Sequence, residues 1–253
     1  MIRTLFTLLT GVAMTVWWGG AALLGALFGA REKPGGIFHK AMSNFAKGMN
    51  FAAGIKLVLH DDERILRDRG GVYVTNHVSW FDVFTMASIL PRFTWVAKSE
   101  LKKIPMFGRA ADAAGIIFLE RDNRKSAFGT YELAAKEVQR GVSIVVAPEG
   151  TRGTEYALRP FKKGPFVLAI AAQAPVVPVL VYGAREVMGK PGWRVKAGTV
   201  HVHFLEKVET KGMTYEDRGT LVDEVWRRMA VALEELYGIK SPVGGANPAR
   251  RSA

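Results

Sequence analysis

The sequence predicts an α/β protein: a single mixed, largely parallel sheet flanked by helices, preceded by an N-terminal membrane-associated two-helix segment. Three observations predict it. From about residue 56 short apolar runs alternate with stretches of helical period. Most of those runs are apolar at successive positions, as in strands buried on both faces. Before them, Thr4 to Ala30 carry no charged side chain at all.

That uncharged stretch, TLFTLLTGVAMTVWWGGAALLGALFGA, has 27 residues. At ~1.5 Å per residue it would reach about 40 Å as a helix, against a hydrocarbon core of ~30 Å. Three readings stay open: a cleaved signal peptide, though such apolar runs are usually shorter; a simple span; and an interfacial or re-entrant hairpin broken near Gly19-Gly20. Arg3 precedes the run, and Arg31, Lys33 and Lys40 follow it, so the positive-inside rule does not orient it clearly. That favours a segment that enters and leaves the same leaflet. Next, Ile37 to Leu59 sets Phe38, Met42, Phe45 and Met49 at helical spacing beside Lys40, Lys47 and Lys56. This reads as an amphipathic helix, lying on an anionic lipid surface or packed on the soluble domain.

Strands are expected at 72–75 (VYVT), 93–97 (FTWVA), 115–119 (GIIFL), 142–147 (VSIVVA), 176–182 (VVPVLVY) and 199–205 (TVHVHFL). Helices are expected at 80–90, 124–140, 165–174 and 214–237, the last with Leu221, Val225, Met229, Leu233 and Leu236 on one stripe. SPVGGANPARRSA has no apolar period and reads as a disordered tail. The expected division is therefore a membrane-associated helical segment at 1–58, an α/β domain at 59–240 and the tail at 241–253.

Composition narrows the chemistry. Lys and Arg number 35 against 23 Asp and Glu, a net +12, so an anionic partner is expected: nucleic acid, an anionic membrane surface or a phosphorylated substrate. The basic residues are spread along the chain without a nucleic-acid-binding motif, and the N-terminus is apolar, so no nucleic acid is expected. The absence of cysteine excludes disulfides, thiolate chemistry and cysteine-ligated zinc. His201 and His203 alternate on a strand, as two metal ligands would, but no third ligand is evident nearby. A half-exposed strand face is the expected meaning, and neither metal nor cofactor is expected.

Two stretches carry the candidate chemistry. In TNHVSWFD, His77 follows a strand and precedes a helix, with Asp82 five residues on. If His77 sits in the turn, Asp82 can accept one ring proton and leave the other nitrogen as a general base; the plainer reading is a capping histidine and a first-turn carboxylate. In APEGTRG, after another strand, Glu149, Gly150, Thr151 and Arg152 offer backbone amides, a hydroxyl and a guanidinium, a set able to cradle phosphate. The plainer reading there is a glycine-rich turn with a solvated arginine. RPFKKG adds positive charge, including Lys162 and Lys163, and GIIFLERDNR places Arg121 beyond a third strand.

NHVSWFD, GIIFLER, APEGTR and APVVPV resemble, in order and rough spacing, the four blocks of the glycerolipid acyltransferases, and the similarity is greatest to the bacterial 1-acylglycerol-3-phosphate acyltransferases. The resemblance covers about residues 70–182. It implies transfer of a fatty acyl group from a thioester to a glycerol hydroxyl, on a membrane-bound α/β domain without a metal. It further implies His77 as base and Asp82 as its partner. Arg121, Glu149, Gly150 and Arg152 then hold the acceptor, the two arginines on the phosphate and Glu149 near the glycerol or organising the loop. One position departs from the pattern: Glu120 precedes Arg121 where an uncharged residue is expected.

The expected reaction moves an acyl group from acyl-CoA or acyl carrier protein to the sn-2 hydroxyl of lysophosphatidate, giving phosphatidate, at the inner membrane with the catalytic domain facing the cytoplasm and its basic surface on anionic lipid. A thioester is already activated, so a base and oxyanion stabilisation suffice. Ser79 is expected as a helix cap rather than a nucleophile, because no strained Gly-x-Ser-x-Gly elbow surrounds it. Alternatives are an acyltransferase for another lysolipid, such as a lyso-ornithine lipid, and a non-catalytic basic lipid-binding protein at the membrane.

Overall fold

The structure is a computed structural model that describes residues 1–30, 36–104, 107–119 and 124–242, with backbone alone at 124–128. The expected site residue Arg121, its neighbour Glu120 and the tail from 243 onward lie outside the described residues.

Among the described residues a single mixed, mostly parallel sheet of seven strands has the order β1-β7-β6-β2-β5-β3-β4. Its strands are β1 (Ile55–His60), β2 (Val72–Thr75), β3 (Phe93–Lys98), β4 (Ile117–Leu119), β5 (Ser143–Val146), β6 (Val176–Tyr182) and β7 (Gly198–Phe204). β2 runs parallel to both β5 and β6, with Val72 opposite Ile144 and Val176, whereas β6 and β7 are antiparallel. All four side chains of VYVT and of SIVV are buried, the polar Thr75 and Ser143 included, as in strands covered on both faces.

Helices flank the sheet. The chain separates into two compact units, each discontinuous in sequence. The first comprises Met1–Val58, Ser79–Thr130 and Gly183–Val200. In it α1 (Ile2–Met14) runs through a π-helical turn at Thr15–Gly19 into α2 (Gly20–Leu27). The run is thus one continuous 26-residue helix, long and apolar enough to cross a membrane. The expected break at Gly19-Gly20 is absent, because both glycines keep right-handed helical angles and only the hydrogen-bond spacing widens. Leu5, Phe6, Val12, Trp17, Leu24 and Phe28 are exposed. α3 (Ile37–Ala53) packs on α1, α2 and α4 (Trp80–Ile89). α3 is shorter than the sequence suggested: Gly54 at φ +70° ends it, and Ile55 to Leu59 belong to β1. α5 is Phe107–Ala113.

The second unit comprises Leu59–Val78, Tyr131–Tyr182 and His201–Ala253. α6 (Arg124–Gln139) begins before it, and α7 (Gly164–Ala172) and α9 (Arg218–Tyr237) pack on each other within it. The short α8 (Ala184–Met188) belongs to the first unit. α9 buries Leu221, Val222, Val225, Trp226, Met229 and Leu233, each worth about 1.5–3 kcal/mol, and packs on β6. Leu236, expected on that stripe, is exposed in the last turn.

Candidate active site

Asn76 fixes where β2 ends. Its amide nitrogen donates to the carbonyl of Val181 at 3.0 Å and its amide oxygen accepts the Val181 N–H at 2.8 Å. One side chain thereby replaces a rung of the ladder beside β6. The backbone can leave the sheet at this point without orphaning its neighbour, and the next residue is His77.

The backbone of His77 is held at both ends by the APEGTRG loop. Its N–H donates to Glu149 Oε1 at 3.3 Å, and its carbonyl accepts the N–H of Gly153 at 2.8 Å. The Glu149 side chain is only 4% exposed, and its second oxygen accepts the Arg159 Nε–H at 2.7 Å. Burial pushes the Glu149 carboxyl above its ordinary value, and the Arg159 guanidinium opposes that shift. Arg159 also donates from Nη1 to the Thr151 hydroxyl at 3.1 Å and from Nη2 to the Thr151 carbonyl. Its own carbonyl accepts the Trp226 indole N–H at 3.2 Å, which anchors the loop to α9.

Gly150 is required at its position. It lies at φ +82°, and a β-carbon there would stand 2.7 Å from the Lys162 Nζ. The ammonium group therefore lies against bare backbone. The Lys162 N–H donates to the Pro148 carbonyl at 2.9 Å, folding the chain back on the loop. Lys162 and Lys163 are exposed and Arg152 is half-buried. Within the second unit the structure thus gathers His77, Glu149, Gly150, Thr151, Arg159 and Lys162 around one loop.

Asp82 lies in the first unit at the third position of α4 and is 1% exposed. Its Oδ2 accepts the Ser79 N–H at 2.7 Å, and Ser79 Oγ accepts the Phe81 N–H at 3.1 Å, a reciprocal capping box. Ser79 Oγ also donates to the Met188 carbonyl at 2.8 Å. Ser79 is thus a helix cap, as expected.

Sequence reading missed two residues that hold His77 and this loop in place, Arg159 and Asn76. Arg159 was visible only as part of a basic run; its pairing ten residues back depends on the turn at Gly150. Asn76 gave no signal beyond standing between a strand and the histidine.

A mostly parallel α/β sheet thus carries a histidine at the end of a strand, held by a loop with Arg159 and Lys162 folded against it. The chain belongs to the acyltransferase family, whose model matches residues 56–182, and it is similar to proteins named 1-acyl-sn-glycerol-3-phosphate acyltransferases. It is 32% identical over 200 residues to human 1-acyl-sn-glycerol-3-phosphate acyltransferase beta, covering 78% of this chain and 71% of that one. To the human alpha form it is also 32% identical, over 207 residues, 78% of this chain and 73% of that one. The crystal structure of the 1-acyl-sn-glycerophosphate acyltransferase PlsC from Thermotoga maritima has the same fold, with a TM-score of 0.77 over 94% of this chain and 97% of that chain at 24% identity.

Proposed function

We propose that the protein transfers a fatty acyl group from acyl-CoA or acyl carrier protein to the sn-2 hydroxyl of 1-acylglycerol-3-phosphate, giving phosphatidate. His77 takes the hydroxyl proton as the oxygen attacks the thioester carbonyl. Asp82 orients the imidazole and stabilises its protonated form. Thiolate leaves as the tetrahedral oxyanion collapses, and protonated His77 gives its proton to that thiolate, releasing the thiol. General-base assistance of this kind is worth roughly 10²–10⁴ in rate.

The observation that carries the reading is the double hold of the APEGTRG loop on the His77 backbone, with the Lys162 ammonium laid against Gly150 in the same loop. The histidine that moves the proton and the groups suited to a phosphate are thereby built as one piece. Arg121, Arg152, Lys162 and Lys163 bind the acceptor phosphate, Gly150 and Thr151 offer it backbone and hydroxyl contacts, and Glu149 organises the loop. The human relatives named for this reaction support the acceptor.

Residues 1–58 attach the protein to the inner membrane, with the catalytic domain of residues 59–240 on the cytoplasmic side. The exposed apolar side chains of Ile2–Leu27 support the attachment. The test is a panel assay of purified protein in detergent with several lysolipids and both donor types, read by thiol release. Preference for lysophosphatidate is expected. Preference for a lysolipid without phosphate would remove the cation clamp and leave the role of His77 standing, whereas lipid binding without thiol release would make the protein a binder.

A further inference from the structure

The histidine pair of β7 has a third member. His201 and His203, two residues apart, share one face of β7, and His60, the last residue of β1, comes alongside them. His60 Nε2 and His201 Nδ1 are 3.0 Å apart, and the His60 ring stacks on that of His203 at 4.1 Å between centroids. One nitrogen from each ring lies within 4.8 Å of the others. His203 is 7% exposed, and its Nε2 lies 2.6 Å from the Tyr237 hydroxyl, which fixes its orientation.

We propose that His60, His201 and His203 form a binding site for a late first-row divalent cation, of the zinc, nickel or cobalt class. Two nitrogens of a tetrahedral site with bonds of ~2.0–2.1 Å stand roughly 3.3 Å apart, so His60 and His201 already hold nearly the separation an ion requires. Small rotations of the stacked rings bring the third nitrogen in. All three donors are imidazoles, which selects these ions over magnesium or calcium. The hydrogen bond to Tyr237 serves the role that outer-shell partners play for metal-bound histidines. His60 and His201 are half-buried, which gives an ion access from solvent. The proton shared between their facing nitrogens moves to the other nitrogen of its ring when the ion enters. The bound ion clips the end of β1 to β7, in a cluster that uses neither His77 nor the APEGTRG loop.

The test uses untagged full-length protein in detergent, stripped with chelator and titrated with Co²⁺ and Zn²⁺. The expected result is one equivalent per chain that survives dialysis, with visible absorption of low-symmetry Co²⁺ and a rise in Tm. His60→Asn and His201→Asn, at half-buried positions, should each weaken binding at least tenfold while circular dichroism and thiol-release activity persist; His77→Ala should leave the stoichiometry intact. Equal binding by wild type and the His60→Asn/His201→Asn double variant would overturn the site, as would loss of the equivalent in His77→Ala.

Discussion

The carboxylate of Glu149 accepts the backbone N–H of His77 and holds the Arg159 guanidinium on its other oxygen. It joins the strand end that carries His77 to the segment that carries Arg159. Since Glu149 is nearly fully buried, removing its partner leaves a desolvated charge. Arg159→Met should destabilise the protein by about 1–3 kcal/mol, the lower end reflecting the partial exposure of Arg159. Denaturant titration in detergent measures this, and a loss below about 0.5 kcal/mol would mean the pair does not brace the loop.

Glu149 also sets a pH dependence. Its folded pKa is raised above the unfolded value by burial, with Arg159 opposing. The proton is therefore held more tightly in the folded state, and the stability this provides is complete below the unfolded pKa and lost as pH rises through the folded pKa. Relative to Glu149→Gln, wild-type stability should decline as pH rises from about 4 and level off once the folded carboxyl has ionised. Parallel unfolding titrations across that range test it; a difference that grows with pH would reverse the sign.

Gly150→Ala combines a left-handed backbone with a β-carbon directed into Lys162. A cost of about 1–3 kcal/mol is expected from the backbone strain. Displacement of the ammonium should also raise KM for lysophosphatidate at least tenfold, with a smaller effect on the thioester donor. Unchanged acceptor kinetics would detach Lys162 from the phosphate.

Ser79→Ala removes one half of the α4 capping box and the bond to the Met188 carbonyl. Stability should fall by about 1–2 kcal/mol, while thiol release at a permissive temperature stays within a few-fold of wild type. An acyl-serine trapped on the wild-type protein would contradict this assignment.

Much of the fold was legible because it depends on local pattern. VYVT, SIVV and VVPVLVY are apolar at every buried position except Thr75 and Ser143, and every strand expected from the sequence occurs with its ends shifted by at most two residues. β1 was hidden because IKLVLH mixes Lys56 and His60 into an apolar run and adjoins a helix whose period seemed to continue through Gly54. For the site, the strand-end positions of His77 and Glu149 were readable, whereas what Glu149 touches was not. Its partner Arg159 depends on a chain reversal, and the third histidine beside His201 and His203 lies about 140 residues earlier in sequence, one residue beyond the stretch that reads as a helix. Pairings made by chain reversal or by strand pairing leave no periodic trace.

The central claim is that His77 is the base for acyl transfer. It is tested most directly by kcat/KM for thiol release with lysophosphatidate in His77→Ala, alongside a Tm showing that the variant folds. A loss of roughly 10²-fold or more, without loss of lysophosphatidate binding, is the predicted result. A folded His77→Ala with near-wild-type acyl transfer would contradict it.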